Sequence, residues 1–280
     1  MKSTPRLILT LTLSSLTLSS LPLAAIQIDD YTAASNDRFA NDAGFIMGGF
    51  DLSGVGRSSD GRWATLVSEN VFLSANHFHP GINASVTFFA SNDPLGSSIT
   101  IDVASGQRIG DTDIWAGILE SPVPAGYTSY SIASSPNLGS NAYLFGLNPS
   151  SDRSSDNMKV GRNILTSVLS GQAVSGASGD ALIANYDNGP LPPYVEHESL
   201  VQTGDSGGPL FVEDGLTGEL ILNGTNWFVG TVGGTDVSGF TVLSQEQAAI
   251  QSIIDANTVP EPGTAVLTFL ATATLLRRRR

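Results

Sequence analysis

"QTGDSGGPLF", residues 202–211, sets one acid and one hydroxyl inside a frame of glycines and closes it with Pro209 before an apolar run. A flexible spacer has no use for a fixed Asp205–Ser206 pair. A strained turn that presents one hydroxyl does, because glycine reaches backbone angles barred to other residues. Gly204 can then turn its N–H toward the point faced by the N–H of Ser206, and two such donors stabilise a developing oxyanion. Gly207 and Gly208 read as room for an approaching substrate chain, and Pro209 as a stiff entry into the strand "LFV".

Composition bounds what surrounds this turn. The chain has 280 residues, 30 glycines and no cysteine, so disulfides and thiolate metal sites are excluded. Its three histidines, His77, His79 and His197, make a multi-histidine metal site a poor expectation, and no metal or organic cofactor is called for. Abundant Gly, Ser, Thr and Asn with few helical runs predict an all-β protein.

Both ends read as addresses. "MKSTPRLILTLTLSSLTLSSLPLAA", residues 1–25, has the basic start, apolar centre and small-residue end of a secretory signal peptide. At the other end, residues 258–280 hold Pro260-Glu261-Pro262, an apolar run from Thr264 to Leu276 and four arginines. That run is short for a membrane span of about 20 residues. Without these ends, seven basic and 25 acidic residues remain, a formal charge of −18. Such a body repels nucleic acid and anionic lipid.

Between the ends, "RWATLVS" and "VFLSANHF" read as strands joined by a turn at Glu69-Asn70, with "ASVTFFAS" and "DIWAGILE" as further strands. Residues 121–140 read as a linker between two halves. "NAYLFGLN", "NILTSVLSG", "ELILNG", "WFVGTVGG" and "GFTVLS" supply strands to the second half, with a long loop over residues 173–198. "SQEQAAIQSIIDA" places Ala249, Ile250, Ile253 and Ile254 on one helical face, with Ser244 and Gln247 as a capping box.

A serine nucleophile needs a base and an orienting acid. His77 follows the apolar strand "VFLSA" and is the candidate base, with His79 as rival. His197 sits between two glutamates in the long loop. Asp113 directly precedes the apolar strand "IWAGIL", with Asp111 as rival and Asp102 read as an ordinary strand-edge carboxylate.

"GDSGGP", "SANHF" and "DTDIWAGIL" together resemble the active-site motifs of trypsin-like (chymotrypsin-fold) serine proteases. Asn76 stands where that family usually has alanine. The resemblance implies two antiparallel six-stranded β-barrels, about residues 44–120 and 141–256, within a protease domain of residues 26–257 that ends in an α-helix. It implies an exported serine endopeptidase with His77, Asp113 and Ser206 as triad and the Gly204 and Ser206 N–H groups as oxyanion hole. Leu200 would be the base of an uncharged substrate pocket, walled by Gly233, Thr235 and Gly239, with Ser199 or Val201 at the base if the register slips. Glu198 keeps a basic preference open. Asp205 would be the partner of a freed N-terminus, for which "GFIMGG" offers Ile46. The tail resembles the PEP-CTERM sorting signal of some Gram-negative bacteria. That implies recognition by an exosortase-like machinery and transient or permanent anchoring at the cell surface. The alternative to a protease acting on proteins or peptides is a catalytically idle surface-binding protein on the same fold.

Overall fold

The computed structural model describes residues 26–147, 154, 156–187 and 194–258. The signal-peptide and sorting-tail expectations lie outside these residues. Among the described residues, no helix is long and apolar enough to cross a membrane. The C-terminal anchor expected from the tail falls on residues outside that description.

In the first half, β1 (Gln27–Ile28) and the short helix α1 (Ala33–Asn36) precede β2 (Val55–Ser58), β3 (Trp63–Leu66), β4 (Val71–Ala75), β5 (Ser85–Phe89), β6 (Ser98–Arg108) and β7 (Ile114–Leu119). Strands β2 to β7 close into an antiparallel barrel in the order β2-β3-β4-β7-β6-β5. Leu66, Phe72, Val86, Phe88 and Trp115 fill its interior. Strand β6, eleven residues long, was not among the strands named from the sequence, although Ile99, Ile101 and Val103 alternate with Thr100 and Asp102. Its Ser-, Thr- and Gly-rich sequence leaves one face to water.

The second half contains β8 (Ser131–Ile132), β9 (Asn141–Gly146), β10 (Lys159–Val174), β11 (Ala177–Tyr186), β12 (Ser199–Leu200), β13 (Pro209–Glu213), β14 (Leu220–Val232) and β15 (Thr235–Thr241), then α2 (Gln247–Asn257). Its main sheet has seven strands, ordered β13-β9-β10-β11-β15-β14-β8, with β13 also paired to β14. Six of the seven therefore form a ring, and β8 is added parallel to β14 through Ile221↔Ser131 and Leu222↔Ile132. This corrects the expectation of two matching six-stranded antiparallel barrels. Strand β15 begins to pair with β14 only at Asn226, so the first residues of β14 have an edge free for another strand. The passage read as a linker supplies it.

Two further expectations fail here. The stretch read as a loop over 173–198 contains all of β11, whose "ALIA" is buried although Gly, Ser and Asp precede it. Helix α2 starts at Gln247 with Glu246 at its N-cap and no side-chain capping bond, because Ser244 lies in a preceding 3-10 turn. Its Ile250 is buried and Ile253 and Ile254 pack beside it, while Ala249 is exposed.

The halves share one core. Trp63 from β3 meets Phe145 from β9 edge-on at 6.1 Å, and Phe145 and Tyr130 both pack on Phe211. The same cluster takes in Leu73, Ile114 and Ile250. Burial of several large side chains, each contributing about 1.5–3 kcal/mol, fixes the ends of β4, β7 and β13 relative to one another.

Candidate active site

The pairing of β4 with β7 sets the first two groups. Ala75 stands opposite Ile114, so His77 lies two residues beyond the end of one strand and Asp113 one residue before the start of its neighbour. The Asn76 N–H donates to the Asp113 carbonyl at 2.9 Å, and the His77 N–H donates to Asp113 Oδ1 at 3.0 Å. His77 Nδ1 then lies 2.7 Å from Asp113 Oδ2. Asp113 is wholly buried while the His77 side chain is 21% exposed, so the acid is shielded and the ring reaches the surface.

The glycine turn meets this pair from the second half. His77 Nε2 lies 2.8 Å from Ser206 Oγ. The structure thus brings His77, Asp113 and Ser206 into one line of hydrogen-bond distances. Gly204 has φ +106 and Gly207 φ +84, both in the region that favours glycine. Gly207 donates its N–H to the Asn226 carbonyl at 2.9 Å. The Gly204 and Ser206 N–H groups have no backbone acceptor among the described residues.

The reason for the other two glycines differs from the expected one. A Cβ on Gly207 would stand 2.6 Å from Ser74 Oγ and 3.0 Å from the Ala75 nitrogen. On Gly208 it would meet Asn226 Nδ2 at 2.7 Å and the Phe145 carbonyl at 2.8 Å. Both make room for the protein's own backbone. Gly207 lets the serine turn sit directly on β4, the strand that leads to His77.

The rival residues lie elsewhere. His79 stacks on Trp115 with ring centroids 4.0 Å apart, and its Nδ1 lies 2.9 Å from the Pro80 carbonyl. Burial holds its pKa below the ordinary histidine value. Asp111 is exposed and takes part through its carbonyl, while Asp102 accepts from Ser85 on the adjacent strand. His197 is buried, with Nε2 3.9 Å from Glu196.

Of the residues expected to form the pocket, Leu200 and Gly239 are buried, Thr235 is half-buried and Gly233 is exposed. Leu200 is buried in β12, paired with Gln27 of β1, and Ser199 and Val201 are buried beside it. Gly233 lies in the β14–β15 hairpin turn, and Thr235 pairs with Val232 across it. The Phe228 ring fills the space over Gly239, where a Cβ would come within 2.3 Å of it. Leu200 therefore packs in a sheet instead of flooring an open cleft.

Asp205, next to the serine, is fully buried. Leu147 donates its N–H to Oδ1 and Gln202 its N–H to Oδ2, each at 2.8 Å. Burial pushes its pKa up to about 7, against the pull of those two donors and of Arg57's charge. In the uncut chain the Ile46 N–H donates to the Ser35 carbonyl. Ile26 lies near Asp205. A Cβ on Gly146 would lie 2.5 Å from Ile26 Cβ and 2.8 Å from Asp205 Cγ, so those two atoms are no more than about 5.3 Å apart.

Asn226 escaped the sequence reading. Its Nδ2 donates to the Asp205 and Phe145 carbonyls, at 2.9 and 2.7 Å, and braces the serine turn against β9. The available signal was a polar residue set among the apolar residues of one strand, "LILNGTNWFV".

No family model matches the chain, and no curated protein matches it. The trypsin-like resemblance is thereby left to its short motifs. The mixed seven-stranded sheet departs from the paired barrels that it implied. Membership of that family, the endopeptidase activity inferred from it and its substrate pocket do not carry over to this chain. The run from Ser206 through His77 to Asp113 stands on the chain's own geometry.

Proposed function

We propose that Ser206, His77 and Asp113 form a nucleophilic serine centre that takes up an acyl group. The observation that supports it is the unbroken run from Asp113 Oδ2 through the His77 ring to Ser206 Oγ, at 2.7 and 2.8 Å. Neutral His77 accepts the Ser206 proton as the oxygen attacks an acyl carbon. Buried Asp113 holds the proton-bearing Nδ1 and stabilises the imidazolium. The Gly204 and Ser206 N–H groups are the donors for the oxyanion. The test is covalent labelling of the full chain with a fluorophosphonate. Wild type is expected to label at Ser206, with labelling lost in Ser206→Ala and slowed by about a thousandfold or more in His77→Ala. A folded wild type that stays unlabelled, or a Ser206→Ala variant that labels equally, refutes the reading.

Asp205 is proposed as the partner of a chain terminus. Cleavage after Ala25 would leave an ammonium on Ile26, beside a buried carboxyl that holds the Gln202 and Leu147 N–H groups. An ammonium there favours the ionised carboxylate, and so braces the serine turn.

A further inference from the structure

The β10–β11 hairpin reaches beyond its own sheet and closes on the loop that carries Asp113. Its turn holds Ser175 and Gly176, both at positive φ. From there the Ser178 N–H donates to the Asp111 carbonyl at 2.8 Å. The Val174 carbonyl accepts from Trp227 Nε1 at 3.3 Å, which ties the same tip to β14.

Arg108, the last residue of β6, joins these parts. Its Nε donates to the Thr112 carbonyl at 2.7 Å, and its NH2 group donates to the carbonyls of Asp111 and, at 3.1 Å, Gly176. The loop between β6 and β7 is only five residues long, and Arg108 holds both peptide oxygens that precede Asp113. On the other side of Asp113, its own carbonyl accepts from Asn76. The acid is thus fixed through the backbone before and after it. Thr112 completes the loop internally, with Oγ1 2.6 Å from the Ile109 carbonyl. Behind Asp113 only about 40 Å³ stays open, walled by Thr112, Ser178, Asp180, Trp227, Thr241 and Gln245.

We propose that Arg108 is a positioning residue for the serine centre, acting through Asp113, with the hairpin tip as its second anchor. The proposal rests on the serine-centre reading for its consequence in catalysis. A planar guanidinium can serve three carbonyls at once, while a lysine ammonium on a flexible stem holds a fixed fork poorly. Loss of the clamp lets the loop shift and admits water toward Asp113. The imidazolium of His77 is then less stabilised, so its titration midpoint falls. The charged or titratable groups around this unit are Asp113 itself, His79, Arg62, Asp111, Asp180 and Glu246. Removal of the Arg108 cation would by charge alone raise the midpoint, so the sign of the shift separates positioning from direct charge.

Two measurements on the full chain test this. In the first, the His77 ring is titrated by NMR in wild type, Arg108→Ala and Arg108→Lys. In the second, the rate of fluorophosphonate labelling is followed against pH in the same proteins. Arg108→Ala is expected to lower the His77 midpoint by about half a unit or more and the plateau labelling rate by about tenfold, with Arg108→Lys recovering part of both. An unmoved or raised midpoint in folded Arg108→Ala overturns the proposal, even if labelling falls. If wild type does not label but the midpoint still drops, the serine-centre reading fails and the positioning role stands. Should Arg108→Ala not fold, Arg108→Lys, which keeps the charge but loses the fork, is read instead and is expected to lower the midpoint in the same direction by less. No shift in that variant overturns the clamp.

Discussion

Asp205→Asn is the most informative single substitution. The carboxyl of Asp205 is raised from an ordinary 3.8 to about 7 by burial. In the unfolded chain it ionises near its ordinary value, so between these two pH values the folded state holds a proton that the unfolded state has released. Stability linked to this group is therefore full below about pH 4 and declines as pH rises toward 7. Three units at about 1.4 kcal/mol each give a decline on the order of 4 kcal/mol. Asparagine has no such titration. It also turns an N–H₂ toward one of two backbone donors, Leu147 or Gln202, at a cost of about 1–3 kcal/mol that does not vary with pH. Urea unfolding of the chain from Met1, at pH 4 to 8, reads the difference between wild type and variant. The variant is expected to be the weaker protein at pH 4 and to gain on wild type by several kcal/mol by pH 8. A difference that stays flat across that range refutes the account of Asp205.

Three further outcomes follow from the geometry. A chain starting at Ile26 should lose most of the pH-dependent decline seen from Met1, because its ammonium lowers the Asp205 pKa; parallel unfolding curves against pH speak against that pairing. Gly207→Ala should cost about 2–4 kcal/mol, from positive φ and the collision with Ser74 and Ala75, and should slow labelling as β4 is displaced; unfolding and labelling assays check both. His79→Phe keeps a flat ring on Trp115 and should leave labelling of Ser206 within about twofold of wild type, whereas a large loss would place His79 in the chemistry.

The candidate site was largely legible because its residues carry local signals. "GDSGGP" encodes a turn, and His77 and Asp113 each flank an apolar strand. What escaped was set by distant parts of the chain. Strand β8 exists because β14 outlasts its pairing with β15, which residues 121–140 do not reveal. Strand β11 hides in a Gly- and Asp-rich passage because β10 and β15 supply its partners from either side. The reading of Gly207 and Gly208 failed for the same reason. Their close neighbours, Ser74 and Phe145, come from other strands. The burial of Leu200 was not legible because its strand partner, Gln27, is far away in the sequence.

That last pairing has a consequence for timing. Gln27 is made well before its partner Leu200. Arg108 and the loop it holds likewise wait for Gly176. A nascent chain therefore carries His77 and Asp113 long before it carries Ser206, and the three meet only when synthesis has passed the turn at residue 206.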